Sequence, residues 1–233
     1  MAIYAIGDLH LSFSTNKPMN IFGDNWENHE EKIKKNWEDK VKQEDTVIIL
    51  GDLSWATYLE ETYKDFEFLN NLPGKKILLK GNHDYWWTTV KSMKEYLKEN
   101  NFNNIDFLYN NSYFIENKII SGTRGWIATS KSDENLKILK RENERLKLSI
   151  SSGVKEFGED KEIIVFLHYP PFSKDKFPEE MNFIKTMGKY NIKRCFYGHL
   201  HAEALKDVVE GNINEIEYKL ISSDYMNFDL TKI

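Results

Sequence analysis

The chain is poor in cysteine and has no long apolar run. Its 233 residues include a single cysteine, Cys195, so no disulfide can form within the chain and a reducing compartment is expected. The cleanest apolar segments, such as residues 163–167, are far shorter than the roughly 20 residues that cross a bilayer. Residues 1–6 lack a basic segment and are typical of a strand, so no signal peptide is expected. These features predict a cytoplasmic protein without membrane insertion.

An excess of basic residues is also missing. The formal net charge is -5, which argues against a non-specific nucleic-acid binder, although it does not exclude a locally basic groove. Hydrophobic residues make up 40% and aromatic residues 14% of the chain, as in folded proteins. The length and the absence of repeats or Pro/Gly-rich linkers predict one domain over residues 1–233. Nothing in the sequence indicates an oligomeric state.

Short apolar strands alternate with amphipathic helices in the first hundred residues. Strands are expected over residues 2–6, 46–50 and 76–80, and helices over residues 30–41, 58–72 and 90–97. This alternation predicts parallel strands with helices on the faces of the sheet.

The second half of the chain predicts a more mixed arrangement. Two apolar segments around Glu116-Asn117-Lys118 indicate an antiparallel hairpin. The remaining expected elements are a helix over residues 133–154, strands over residues 162–167 and 194–197, and a last strand over residues 215–221. The expected apolar stripe of the long helix contains Leu136, Leu139, Leu146, Ile150 and Val154.

Five of the six histidines lie in short polar motifs that follow the expected strands, and only His29 lies elsewhere. In open α/β folds, ligands bind beyond the carboxyl ends of the strands. A lone buried histidine is usually structural, and this is the expectation for His29. The motifs are Gly7-Asp8-Leu9-His10, Gly51-Asp52-Leu53, Gly81-Asn82-His83-Asp84, His168 and Gly198-His199-Leu200-His201.

Seven side chains of these motifs are candidate metal ligands: Asp8, His10, Asp52, Asn82, His168, His199 and His201. Such donors suit divalent Mn, Fe, Zn, Co or Ni. Because a carboxylate can bridge, seven ligands suffice for two ions with room for water and substrate. Two ions about 3.5–4 Å apart would clamp an in-line displacement and lower the pKa of a shared water toward about 7. Phosphoryl transfer suits such a site, so a phosphate-ester substrate is expected.

His83 and Asp84 are the candidate catalytic residues. Asn82 and His83 are neighbours, and a tight turn does not point both side chains at one ion. We therefore expect His83 to hold a phosphoryl oxygen and protonate the leaving group. Asp84 would orient His83 through a hydrogen bond to a ring nitrogen.

The five motifs in this order resemble the calcineurin-like metallophosphoesterase superfamily from Asp8 to His201. The resemblance implies an α/β fold, a four-layer α/β/β/α sandwich of two mixed β-sheets, and a bridging hydroxide as the nucleophile. It also implies the division of the ligands. One ion would be held by Asp8, His10, Asp52 and His201, and the other by Asp52, Asn82, His168 and His199, with Asp52 bridging.

The motifs of this chain differ from those of three subfamilies of this superfamily, so membership of these subfamilies is not expected. The family's protein Ser/Thr phosphatases carry Gly-Asp-x-Val-Asp-Arg-Gly and Gly-Asn-His-Glu, whereas this chain has Trp55 and Asp84 in the corresponding motifs. Purple acid phosphatases have a tyrosine ligand where Trp55 stands. The lipid-A pathway pyrophosphatases have arginine where His83 stands.

Several alternatives stay open at this point. The enzyme could be a phosphomonoesterase or a phosphodiesterase, including a nuclease, and a non-catalytic scaffold or interaction module of the same fold is the alternative of another class. Trp86 and Trp87 could stack on an aromatic leaving group, although packing in the core is favoured. The loop over residues 11–28 could cover the site or be plain surface. Arg124 could bind phosphate, although a structural salt bridge is favoured, and Cys195 is expected in the core.

Overall fold

The computed structural model describes residues 1–15, 17–127, 132–172, 182–190 and 192–233. The chain forms two compact units: unit 1 comprises Met1–Phe107 and Ile221–Ile233, and unit 2 comprises Leu108–Leu220. Unit 2 is therefore inserted in the sequence of unit 1. Within the described residues, no helix has both the length and the hydropathy required to cross a membrane.

A five-stranded mixed sheet forms the centre of unit 1. Its strands are β1 (Ile3–Ile6), β2 (Thr46–Ile49), β3 (Lys75–Leu78), β4 (Ile105–Phe107) and β11 (Thr231–Lys232), in the order β11-β1-β2-β3-β4. The first four are parallel to their neighbours, and β11 pairs antiparallel with β1. The prediction of β1, β2 and β3 is confirmed. The sequence did not indicate β4 or β11, because such short strands carry too little apolar pattern.

The helices of unit 1 are α1 (His29–Lys40), α2 (Tyr63–Asn71) and α3 (Val90–Glu99), and short 3-10 helices span Met19–Phe22, Asp24–Trp26 and Leu59–Thr62. The predicted apolar face of residues 58–72 is partly wrong. Tyr58 and Tyr63 are 66% and 42% exposed, whereas Phe66 and Leu69 are buried. Tyr58 precedes the 3-10 helix Leu59–Thr62, whose three residues per turn do not continue the stripe of the following α-helix. Tyr63 is the first residue of α2 and lies outside the buried face of that helix.

A six-stranded mixed sheet forms the centre of unit 2. Its strands are β5 (Tyr113–Ile115), β6 (Lys118–Thr123), β7 (Glu162–Leu167), β8 (Arg194–Tyr197), β9 (Gly211–Ile213) and β10 (Ile216–Leu220), in the order β5-β6-β7-β8-β10-β9. The predicted hairpin is confirmed: β5 and β6 are antiparallel, and Glu116 and Asn117 have the positive φ angles of a tight hairpin turn. The strand predicted over residues 215–221 is not the last one, because β11 follows it.

Among the described residues of unit 2, the helices are α4 (Asp133–Phe157), α5 (Asn182–Lys189) and the 3-10 helix Ala202–Asp207. Leu146 and Ile150 of α4 are buried as predicted, whereas Leu136 is 46% exposed. Cys195 is buried in the core of this unit, as expected, and burial raises the pKa of its thiol. The predicted α/β class with two mixed sheets is confirmed.

Candidate metal centre

The polar motifs follow the carboxyl ends of parallel strands in both units. In unit 1, Asp8 follows β1, Asp52 follows β2 and Asn82 follows β3, and these strands are neighbours in register. In unit 2, His168 follows β7 and His199 follows the adjacent parallel strand β8. Because parallel strands end at the same edge, each sheet collects its own candidate ligands along one edge.

Backbone hydrogen bonds continue beyond the sheet of unit 1 and align its first two motifs. The Asp8 N–H donates to the Gly51 carbonyl at 3.0 Å, and the His10 N–H donates to the Asp52 carbonyl at 2.9 Å. The Gly7 N–H donates to the Ile221 carbonyl at 2.8 Å. The two turns therefore run side by side with a fixed spacing, although neither is regular strand.

Two glycines allow the second and third motifs to approach each other closely. A Cβ on Gly51, where φ is +89°, would lie 2.5 Å from the Gly81 nitrogen. A Cβ on Gly81 would lie 2.1 Å from Oδ1 of Asp52. No side chain fits at either position, so the Gly-Asp and Gly-Asn pairs are steric requirements of this contact.

Four candidate ligands have left-handed backbone conformations. The φ angles are 60° at Asp8, 48° at His10, 49° at Asp52 and 74° at His199. Such conformations cost L-residues about 1–2 kcal/mol each and concentrate at functional sites. The motif letters do not reveal this strain, since it depends on the path that the backbone takes after each strand.

The Asp84 carboxylate fastens the second and third motifs together. Its Oδ2 accepts the N–H groups of Asp52 at 2.9 Å and Gly81 at 2.7 Å, and its Oδ1 accepts the N–H of Leu53 at 2.9 Å. Trp86 Nε1 donates to Oδ1 at 3.0 Å. Asp84 is fully buried. Sequence reasoning missed this anchoring of the backbone, and the expected orientation of His83 by Asp84 stays a prediction.

Asp52 lies at the centre of the unit 1 constellation. Its Oδ1 accepts the His83 backbone N–H at 2.8 Å, and its Oδ2 is 3.8 Å from Nε2 of His10. Asp52, Asp8 and His10 are all buried, and Asp8 and His10 each offer a ligand atom within 4.8 Å of the other. Asn82 and His83 are half-buried.

Aromatic rings surround His10 and His83. The Trp55 ring stacks on His10 with 4.9 Å between centroids and lies 4.5 Å from the His83 ring. Trp55 Nε1 donates to the Met19 sulfur at 3.1 Å, and Trp26 meets His10 edge-on at 5.7 Å. The loop over residues 11–28, of which Asn16 lies outside the described residues, therefore contributes Met19 and Trp26 to this packing.

Three imidazoles are the candidate ligands of unit 2. His168 is buried, and its ring lies 5.1 Å from that of His199. Each of the two offers a nitrogen within 4.8 Å of the other. The Tyr169 ring contacts His199 at 4.0 Å, and the Gly198 N–H donates to the His168 carbonyl at 3.0 Å. His201 is half-buried and precedes the 3-10 helix Ala202–Asp207.

Trp86, Trp87 and His29 have structural positions, as favoured from the sequence. Trp86 and Trp87 are 1% and 8% exposed, and Trp86 meets Phe66 edge-on at 5.2 Å. His29 is buried 5.3 Å from the ring of Trp26. Burial lowers the pKa of His29, although the nearby Glu30 opposes this.

Asp65 is a buried acid that the motifs did not indicate. Its carboxylate accepts the Phe13 N–H at 3.0 Å and the Ser54 hydroxyl. Burial raises the pKa of Asp65 to about 6, while the Ser54 hydrogen bond acts in the opposite direction. Asp65 therefore links the loop after His10 to the loop after Asp52.

The donor set fits divalent cations. Unit 1 offers carboxylate and amide oxygens with one imidazole, and unit 2 offers three imidazoles. Such nitrogen and oxygen ligands match Mn, Fe, Zn, Co and Ni. The strained backbone at four of the candidates is consistent with a role that plain packing does not require.

A family model described as calcineurin-like phosphoesterase matches residues 1–203. The Gene 66 protein of Mycobacterium phage L5 is 32% identical over 77 residues, which cover 33% of this chain and 37% of that protein. Phosphopantetheinyl hydrolase from Mycobacterium tuberculosis matches with a TM-score of 0.55 at 14% identity, over 100% of this chain and 95% of that one. The protein TT1561 of Thermus thermophilus matches with a TM-score of 0.58 at 13% identity, over 99% and 97% of the two chains.

The family model covers most of the chain, and the family is one of phosphoric ester hydrolases. The chain belongs to the calcineurin-like phosphoesterases, a family that depends on a dinuclear metal centre. The resemblance noted in the sequence is thereby confirmed. The structural likenesses support the fold alone.

Proposed function

We propose that this phosphoesterase hydrolyses a small phosphate ester with two divalent metal ions. Asp8, His10, Asp52 and His201 would hold one ion, and Asp52, Asn82, His168 and His199 the other. Donor chemistry and membership of the family support this assignment. The single domain over residues 1–233 stays a prediction.

The observation that carries the proposal is the strained backbone at Asp8, His10, Asp52 and His199. A fold maintains several unfavourable φ angles only where the surrounding structure enforces them, and such positions cluster at functional sites. In unit 1 the enforcing contacts are the buried Asp84 carboxylate and the close approach of Gly51 to Gly81.

Two divalent ions, when bound, would neutralise phosphoryl charge and lower the pKa of an attacking water molecule. The protein's own part lies in holding the reacting groups in place. His83 would donate a proton to the leaving oxygen. The hydrogen bond from its backbone N–H to Asp52 fixes the turn that carries it, and the contact with Trp55 limits the freedom of its ring.

Two classes of phosphate ester fall within this proposal. Hydrolysis of a monoester and of a diester both fit the donor set, and a nuclease is the diesterase variant that the net charge of -5 disfavours. The cytoplasmic location stays a prediction.

The test is kcat/KM on nitrophenyl phosphate and on bis-nitrophenyl phosphate, measured side by side after loading with Mn, Fe, Zn, Co or Ni. A diester preference would direct the search to cyclic nucleotides, phospholipid headgroups and nucleic acids, and a monoester preference to phosphometabolites. Turnover should fall about a thousandfold in Asp52→Asn and persist in Asp39→Asn, which replaces an exposed acid of α1. Bound metal without turnover of any phosphate ester would overturn catalysis and support a non-catalytic interaction module.

A further inference from the structure

Arg124 lies in unit 2 beside the proposed ligand His168. Thr123, the last residue of β6, pairs with Leu167, the last residue of β7. The Tyr169 N–H then donates to the Arg124 carbonyl at 2.9 Å. Arg124 and His168 therefore follow adjacent parallel strands at the same edge of one sheet.

The guanidinium of Arg124 is largely buried, and its hydrogen-bond donors are only partly paired. Its side chain is 17% exposed, and the nearest carboxylate oxygen, Oε1 of Glu142, is 3.7 Å from Nη2, which is too far for a hydrogen bond. Within the described part of the chain, the buried Nε has no hydrogen-bond partner. The guanidinium lies over the Trp126 ring at 5.0 Å, which supports its plane without accepting its protons.

Glu142 is already used by other groups. Its Oε1 accepts Nη1 of Arg145 at 2.9 Å and Nε of Arg141 at 3.4 Å, and its Oε2 accepts the Thr123 hydroxyl at 2.8 Å. The carboxylate is fully buried. Among the residues that the structure describes, three guanidinium groups therefore share one carboxylate, and the cluster carries two more positive than negative charges.

A buried cation with unused donors is costly unless an anion completes it. A guanidinium has five N–H donors in a planar fork that matches the oxygen atoms of phosphate or carboxylate groups. The structural salt bridge favoured from the sequence is present, but it is too long to satisfy these donors. The N–H donors of Arg124 that lack a protein partner therefore match the oxygen atoms of an oxyanion.

We propose that Arg124 binds a second anionic group of the substrate, a phosphate or a carboxylate that is not cleaved. The substrate would then be a phosphate ester with another negative charge. This inference rests on the proposed function, because it takes a phosphate ester as the bound molecule. The Trp126 ring, 5.0 Å from the guanidinium carbon, supports the plane of the guanidinium.

The test compares two phosphate monoesters that differ in one anionic group: 3-phosphoglycerate carries a carboxylate, and glycerol 3-phosphate does not. Their dissociation constants are measured by calorimetry on the metal-loaded protein and on Arg124→Gln. We expect the wild type to bind 3-phosphoglycerate more tightly, and Arg124→Gln to lose about tenfold to hundredfold for that ligand. Binding of glycerol 3-phosphate should change less than about twofold.

Arg141→Gln is the matched control, since Arg141 contacts the same carboxylate but is 55% exposed. It should leave both dissociation constants unchanged. Arg124→Lys keeps the charge but loses the fork, so it should recover only part of the lost affinity. If Arg124→Gln fails to fold by circular dichroism, Arg124→Lys decides the test, and wild-type affinity in that folded variant would overturn the proposal.

Equal losses for both ligands in Arg124→Gln would place the guanidinium on the reacting phosphoryl group and overturn the proposal. An unchanged preference for 3-phosphoglycerate would also overturn it. Turnover of nitrophenyl phosphate by the wild type is measured separately. If Arg124→Gln loses the preference for 3-phosphoglycerate and the wild type turns over nitrophenyl phosphate, both the role of Arg124 and the proposed function are supported. If Arg124→Gln loses this preference but the wild type cleaves no phosphate ester, the role of Arg124 is supported and only the proposed function is refuted.

Discussion

The two units hold their candidate ligands by different physical means. Unit 1 presents carboxylates, which it fastens through backbone N–H groups: Asp84 accepts those of Asp52 and Gly81, and Asp52 accepts that of His83. Unit 2 presents imidazoles, which it positions through ring contacts, such as those of His199 with His168 and Tyr169. Ionised carboxylates that leave water need several hydrogen-bond donors, and an imidazole ring also has flat faces that pack against other rings.

Substitutions in the two units should therefore have different effects on folding stability. Removing an acceptor in unit 1 exposes buried N–H groups to an apolar surrounding, which costs folding free energy. Removing the half-buried His199 ring in unit 2 takes away ring contacts and a candidate ligand atom. We therefore expect stability to depend on the fully buried Asp84 of unit 1 more than on the half-buried His199 of unit 2.

The largest expected effect is that of Asp52→Asn. It removes the charge that both ions would share, so we expect kcat/KM to fall about a thousandfold and both ions to be lost together. Metal analysis of the dialysed protein measures the second effect. Loss of one ion with full retention of the other would contradict a bridging role for Asp52.

Asp84→Asn tests the fastening in unit 1. A carboxamide has one acceptor oxygen and an NH₂ group with two donors, which would face the N–H groups that Asp84 now accepts. The free energy of unfolding should therefore fall by about 3 kcal/mol. The control in unit 2 is His199→Ala, which should change the unfolding free energy by less than about 1 kcal/mol. Urea denaturation of both metal-free variants measures their free energies of unfolding. Equal losses of unfolding free energy would contradict the difference between the two units.

His83→Ala distinguishes proton donation to the leaving group from a structural role of His83. Nitrophenolate leaves without a proton, whereas an alkoxide needs one, so alkyl phosphates should lose about a hundredfold more kcat/KM than nitrophenyl phosphate. The readout is the ratio of the two losses at constant metal occupancy. The same loss for both esters would exclude His83 as the general acid.

Asp65 shows the cost of burying an acid in unit 1. Its pKa is 3.8 in the unfolded chain and about 6 in the folded one, so the folded state holds the proton more tightly. This contribution to stability is complete below about pH 4 and is lost as the pH rises toward 6. The loss amounts to about 2 to 3 kcal/mol.

Asp65→Asn should lack this pH dependence. The unfolding free energies of wild type and variant are measured in urea from pH 4 to pH 7. Their difference should change over this range by about 2 to 3 kcal/mol in favour of the variant. A constant difference over the range would mean that the folded Asp65 titrates at its ordinary pKa.

Much of the fold could be predicted because strong apolar strands leave a local pattern. Strands β2, β7 and β8 and the hairpin at Glu116 and Asn117 were evident for this reason. Strands β4 and β11 were not, since their pairing with β3 and β1 depends on residues distant in sequence. The misassigned faces at Tyr58 and Leu136 have a similar origin, because exposure depends on what packs against a helix.

The sequence by itself determined the family, the α/β class and the donor types of the candidate ligands, because ligand chemistry and strand-end spacing are written in local motifs. Only the tertiary structure revealed that Asp84 anchors two turns, that four candidate ligands are left-handed, and that Arg124 shares Glu142 with two other arginines. These features arise where segments distant in sequence meet, as Asp52 and Asp84 do across 32 residues. Backbone path and burial decide the energy of such contacts, and no local pattern records them.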